Sequence, residues 1–122
     1  MFKRLLKILF VSFLISCGSS EEYELELFVS GAQIAGVNGM HFGPDGYLYA
    51  ASVIGSDISV IDTESKVILK RFGLSDGVIG PDDVAFNSKG EFYWTSILTG
   101  EVSGFDVNGN KVFSGNPGPG VN

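Results

Sequence analysis

Residues 36–62 read GVNGMHFGPDGYLYAASVIGSDISVID, and residues 80–106 read GPDDVAFNSKGEFYWTSILTGEVSGFD; the two align without a gap at a shift of 44 positions. Gly36 falls on Gly80, Phe42 on Phe86, Gly46 on Gly90, Tyr49 on Tyr93, Ser52 on Ser96, Ser59 on Ser103 and Asp62 on Asp106. Similar pairs fill the intervals: Met40/Val84, Leu48/Phe92, Val53/Ile97, Asp57/Glu101, Ile58/Val102 and Ile61/Phe105. A fixed period of this length marks a repeat architecture. Gly120-Val121-Asn122 repeats the Gly36-Val37-Asn38 opening, so a third unit is expected to start there.

Punctuation inside each unit divides it into short strands. The first unit predicts strands over 38–42, 47–53, 57–61 and 66–72, separated by Gly43-Pro44-Asp45-Gly46, Gly55-Ser56 and a turn over Thr63 to Ser65. The second predicts 83–86, 91–97, 101–105 and 111–113, with turns at Lys89-Gly90, Thr99-Gly100 and Asn108-Gly109, the last a strong hairpin signal. No run outside the N-terminus has helical periodicity. Four short antiparallel strands per roughly 40–45 residues is one blade of a β-propeller. The expected fold is therefore all-β: about two propeller blades and the start of a third over 25–122, after an N-terminal signal helix. A blade cannot bury both faces alone, and about three or more repeats are needed for stability. Two blades leave two apolar faces open, so the chain reads as a fragment or truncation of a longer array; association between chains is the other solution. Tyr49, Trp94, Tyr93 and Phe42 sit at strand spacing and are expected in the core between blades.

Upstream of the repeats, Lys3, Arg4 and Lys7 precede an apolar run from Ile8 to Ile15, the layout of a secretory signal over 1–16. The run falls short of the roughly 18–20 apolar residues of a membrane-spanning helix. Leu14-Ile15-Ser16-Cys17 resembles a bacterial lipobox, which implies lipidation of Cys17, the chain's one cysteine. An ordinary signal with a chance cysteine and an uncleaved anchor are the other two readings. Lipidation would anchor the protein to the bacterial cell envelope without spanning it. Residues 17–24 then form an acidic tether, and Glu24 to Ser30 (ELELFVS) suits a strand.

Removing 1–16 takes away three of eight basic residues and none of fourteen acidic ones, leaving a formal charge of −9. An acidic surface repels phosphate backbones, so nucleic acid is a poor partner. No glycine-rich loop precedes a helix, which disfavours nucleotides.

Asn38-Gly39 opening a strand before FGPDGYLYAAS, and Pro81-Asp82 opening the next before a Gly-aromatic strand, resemble the gluconolactonase, senescence marker protein and luciferin-regenerating enzyme family. The resemblance covers about residues 31–122. It implies a six-bladed propeller holding a divalent cation, often calcium, at the mouth of its channel. It assigns Asn38 and Asp82 as metal ligands, and implies hydrolysis of a sugar lactone or similar ester with Asp82 helping to activate water. The repeat independently puts Asn38 and Asp82 in the same phase of the innermost strand, where equivalent positions of a closed ring converge. Two features depart from the family pattern. Asp83 stands where it usually has glycine, and no Glu-Gly-Pro segment brings its glutamate ligand, so the chain carries an incomplete site. A non-catalytic propeller that binds a ligand or protein, and an inactive truncated product, are the alternatives.

Each candidate also has a structural reading. Asn38 would satisfy a turn, Asp82 and Asp83 would cap theirs, and Asp62 and Asp106 would hold the turns that follow their strands. His41, the single histidine, pairs with Ala85 in the repeat and cannot make a histidine-based metal site alone; substrate contact is its other reading. Asp45-Gly46 lacks the spaced downstream carboxylates of an EF-hand.

Overall fold

The computed structural model describes residues 23–27 and 34–117. Eight strands follow one another: β1 (Val37–Phe42), β2 (Leu48–Ser52), β3 (Asp57–Asp62), β4 (Val67–Phe72), β5 (Pro81–Phe86), β6 (Phe92–Ser96), β7 (Val102–Phe105) and β8 (Lys111–Gly115). They form two four-stranded antiparallel sheets, in the orders β1-β2-β3-β4 and β5-β6-β7-β8. These are the eight strands expected from the turn spacing, with bounds moved by one or two residues. A single three-residue 3-10 turn, Leu74–Asp76, lies between the sheets, and Val78 just beyond it is fully buried.

The turns form because the side chains that punctuate them hold their own backbone. Gly43 N–H donates to Tyr47 O at 2.8 Å, and at the repeated position Asn87 N–H donates to Glu91 O at 3.0 Å. Asp62 accepts from Glu64 N at 2.9 Å and from Ser65 Oγ at 2.7 Å; Asp106 accepts from Asn108 N and Asn110 N at 2.9 and 2.8 Å. Both aspartates thus hold their turns as expected. Asp45 does likewise, accepting from Tyr47 N and, at 2.9 Å, from the Tyr49 hydroxyl. Burial first, then that bond to Asp45 and its charge, pushes the Tyr49 phenol well above its ordinary range.

The core lies between the sheets. Register pairs Tyr49 with Val60 and Ala51 with Ile58, so these four share a face, joined by Phe72 opposite Ile58. The second sheet answers with Val84 beside Trp94 and Phe92 beside Phe105. Phe92 is the hub: its ring centroid lies 5.0 Å from Phe72, 5.2 Å from Tyr49, 5.6 Å from Phe105 and 6.2 Å from Trp94. Such aromatic pairs contribute about 0.5–1.5 kcal/mol each beyond the area they bury.

Two of the expected core aromatics lie elsewhere. Phe42 and Tyr93 belong to the opposite faces, which the neighbouring sheet does not cover; Phe42 is 58% exposed and Tyr93 half-buried. Side chains alternate along a strand, so one position serves the core only in the copy whose face is covered. Phe86 and Tyr49, their repeat partners, meet edge-on at 4.8 Å. Residues 24–27, the described part of the expected strand over Glu24 to Ser30, have no regular structure and are exposed. Alternation gives a strand its two faces but supplies no partner edge; Glu26 meets Lys66 in an exposed ion pair at 2.7 Å. The expected signal over 1–16, Cys17, most of the tether, residues 28–33 and the third-unit start at 118–122 lie outside the described residues. Among the described residues no helix is long and apolar enough to cross a membrane.

Candidate functional site

β1 and β2 of the first sheet lie against β5 of the second, so the two sheets meet along their leading strands. Asn38 is the second residue of β1 and Asp82 the second of β5. The structure brings them into direct contact: the Asn38 side-chain amide donates to Asp82 Oδ1. Asp82 is 7% exposed, while Asn38 is open to solvent.

Gly39 makes the contact possible. A Cβ at position 39 would lie 2.6 Å from Asp83 Cα and 2.8 Å from Asp82 O, closer than a real Cβ stands to backbone. Only a residue without a side chain lets β1 come this near β5. Asp83 itself is exposed, its Oδ1 accepting from Val84 N at 2.8 Å, which agrees with a local acceptor role. His41 is also exposed; its Nδ1 is 2.8 Å from Phe42 O and its ring 5.8 Å from Phe86. Neither touches the Asn38–Asp82 pair through any hydrogen bond seen here.

Two serines hold the segments that carry the pair. Ser52 Oγ donates to Ala35 O at 2.5 Å and accepts from Gly55 N at 3.1 Å. Ser96 Oγ donates to Ile79 O at 2.6 Å and accepts from Thr99 N at 3.1 Å. Backbone bonds Val53 N to Gly36 O and Ile97 N to Gly80 O, at 3.0 and 3.1 Å, complete each latch. Gly80 has φ +47° and lies under Leu98, whose Cδ1 would be 2.6 Å from an added Cβ. The loop preceding each leading strand is therefore fixed to the turn after the second strand. Ser52 and Ser96 are identical in the repeat, which flags them; their role needs the loop carbonyls to be located.

One carboxylate and one amide are brought together at the meeting line of two sheets, with the amide N–H turned toward the carboxylate; carboxylate and amide oxygens are donor types a hard cation takes, in shells of about six to eight. Among the described residues no group of three or more His, Cys, Asp or Glu stands together as a metal site.

No protein-family model matches this chain, and no curated protein matches it. Its fold does match solved structures. A streptogramin B lyase is similar at TM-score 0.63 and 20% identity, over 77% of this chain and 31% of that one. Virginiamycin B lyase from Staphylococcus aureus is similar at TM-score 0.56 and 20% identity, over 66% of this chain and 27% of that one. Hydrazine synthase of Kuenenia stuttgartiensis gives TM-score 0.56 at 16% identity, over 71% and 26%. The chain thus spans less than a third of the length of the structures it matches. At this identity the likeness concerns the fold alone: two four-stranded antiparallel sheets of a β-propeller.

Proposed function

We propose that this chain is the N-terminal part of a lipid-anchored, calcium- or other divalent-metal-dependent hydrolase of the gluconolactonase type, acting on sugar lactones or similar esters. The contact between Asn38 and Asp82 carries the reading. The two residues that the family resemblance assigns as ligands come from different sheets and meet at one point. Asn38 and Asp82 would hold the cation, with the remaining donors coming from further blades and water. Bound there, a divalent cation would polarise the acyl carbonyl of a lactone.

Asp82 would orient and deprotonate the water that adds to that carbonyl, and the ring oxygen leaves with a proton. Asn38 would orient the Asp82 carboxylate through its amide. Gly39 lets the two strands come close enough for the pair to meet, and the Ser52 and Ser96 latches hold the two loops in place. Cys17 would carry the lipid that attaches the protein to the cell envelope, with an acidic stretch as tether.

A non-catalytic propeller that binds a ligand or protein is the second reading. It is favoured by the small donor set, one carboxylate and one amide. Calorimetry with calcium on the full-length protein, with the further blades present, separates them at the metal step. Asp82→Ala is expected to weaken binding roughly tenfold or more, about 1.4 kcal/mol. Equal affinity in both proteins, or no binding by either, removes the metal reading for this chain.

A further inference from the structure

A cleft of about 580 Å³ opens between the two sheets at the rim away from Asn38 and Asp82. Those two residues stand at the start of β1 and β5, whereas the cleft is bounded by the turns that follow these strands, at Pro44-Asp45 and Ser88-Lys89-Gly90. β4 and the turn after β7 close its outer side. Both walls come from the two sheets already in contact, so the cleft does not depend on a further blade. Its volume is that of a pocket for a small organic molecule, about 300–1,000 Å³.

β4 bulges where it borders the cleft. Ile61 pairs with Ile68 and Val60 with Lys70, which leaves Leu69 as the extra residue. Neighbours in a regular strand point to opposite faces. Here Leu69 and Lys70 both reach the cleft, re-aimed by the bulge. β8 bulges at the matching Val112, so the bulge belongs to the repeat. The charge does not: Phe113, opposite Gly104, stands where Lys70 stands opposite Val60. The Lys70 ammonium lies 4.0 Å from the centre of the Phe72 ring, and a Cβ on Gly109 would come within 3.0 Å of it. Lys70 thus reaches from the first sheet to the β7–β8 turn of the second.

The polar groups of the cleft divide by what already holds them. Asp45 accepts from Tyr47 N and the Tyr49 hydroxyl, and Asp106 from Asn108 N, Asn110 N and the Asn110 amide. Among the described residues no carboxylate forms an ion pair with Lys70 or Lys89. The carboxylates are occupied by their own turns, and the cations are left for a ligand. Leu69 and Val107 stand exposed at the mouth, with Tyr49 and Phe72 buried beneath. Two carboxylates and two ammoniums leave the cleft close to neutral, which suits one acid group and opposes a polyanion such as a nucleotide.

We propose that this cleft binds a small organic monocarboxylate with an aromatic or alicyclic body, its acid group on Lys70 and Lys89 and its rings between Leu69 and Val107. An ammonium on a carboxylate is a charge-assisted bond, and the apolar lips cover the rest of the molecule. Binding here requires no metal and stands or falls apart from the hydrolase reading.

The probe is 2-naphthoate, titrated by calorimetry into the full-length protein, with 2-naphthylmethanol as its uncharged counterpart. Naphthoate is expected to bind, and the alcohol to bind roughly tenfold or more weakly. Lys70→Met keeps most of the stem and removes the charge, at a position where the second sheet carries an apolar residue. It is expected to weaken naphthoate roughly tenfold, and Lys70→Arg to restore it. Trp94 fluorescence reports that each variant is folded. Affinity is expected to be the same with calcium and with a chelator. No binding by the folded protein, equal affinity for acid and alcohol, or indifference to Lys70→Met overturns the proposal. So does an affinity that depends on calcium, which would put the acid at the Asn38–Asp82 end.

Discussion

Gly39 shows how much a single missing methyl decides. Its Cα passes so near Asp82 and Asp83 that any side chain would force β1 and β5 apart. Gly39→Ala is expected to cost about 1–3 kcal/mol, the usual penalty of overpacking, read from the urea midpoint. It should also loosen the Asn38–Asp82 contact. Asp62 and Asp106 act in another way. Bonds from Ser65 and Glu64 hold the Asp62 carboxyl below its ordinary 3.8, and Asn110 chiefly does the same for Asp106. With the folded value below the unfolded one, the unfolded chain binds protons first as the pH falls. The stability these groups give is whole above the ordinary carboxylate value and is lost as pH drops through the folded value. Between about pH 5 and pH 2 the urea midpoint of the native protein should therefore fall more steeply than that of Asp62→Asn. Parallel slopes would deny Asp62 that part.

Among elements, the latches explain why two sheets present their leading strands alike. Ser96 is almost fully buried and bridges Ile79 O and Thr99 N. Ser96→Ala removes both bonds from a buried position and should destabilise by about 1 kcal/mol in chemical unfolding. An unchanged midpoint would mean that water replaces the hydroxyl. Strand positions were legible in the sequence because turns are written locally: Asp45, Asn87 and Asp106 each bind backbone within four residues. Which face of a strand is covered was not, since that depends on what lies across from it. Phe42 and Phe86 are the same residue in the same phase, and only Phe86 has a sheet against it. A polar pair on the first sheet shows the same limit: Asp57 meets Arg71 at 2.9 Å and the Ser59 hydroxyl at 3.1 Å, while Glu101 at the repeated position is held by Thr99.

The whole molecule is stabilised by a core that neither sheet owns. Phe72 of the first sheet lies 5.0 Å from Phe92 and 5.2 Å from Phe105 of the second. Removing one side of such a core leaves a cavity bounded by the other. Phe72→Ala should cost about 3–5 kcal/mol. Its effect should appear equally in Trp94 fluorescence, which reports the second sheet, and in the far-ultraviolet signal of both. Separate transitions for the two probes would mean that the sheets unfold independently.

The sequence by itself determined the repeat, the eight strands and their turns, because period, alternation and turn chemistry are local properties of the chain. It also put Asn38 and Asp82 in equivalent positions. Only the tertiary structure decided that they touch, that Gly39 is what allows it, and that Ser52 and Ser96 secure the loops behind them. Contacts across 44 residues depend on how two sheets pack face to face, and packing sets one face of each strand against the neighbouring sheet while the other, written in the same residues, lies outside that contact.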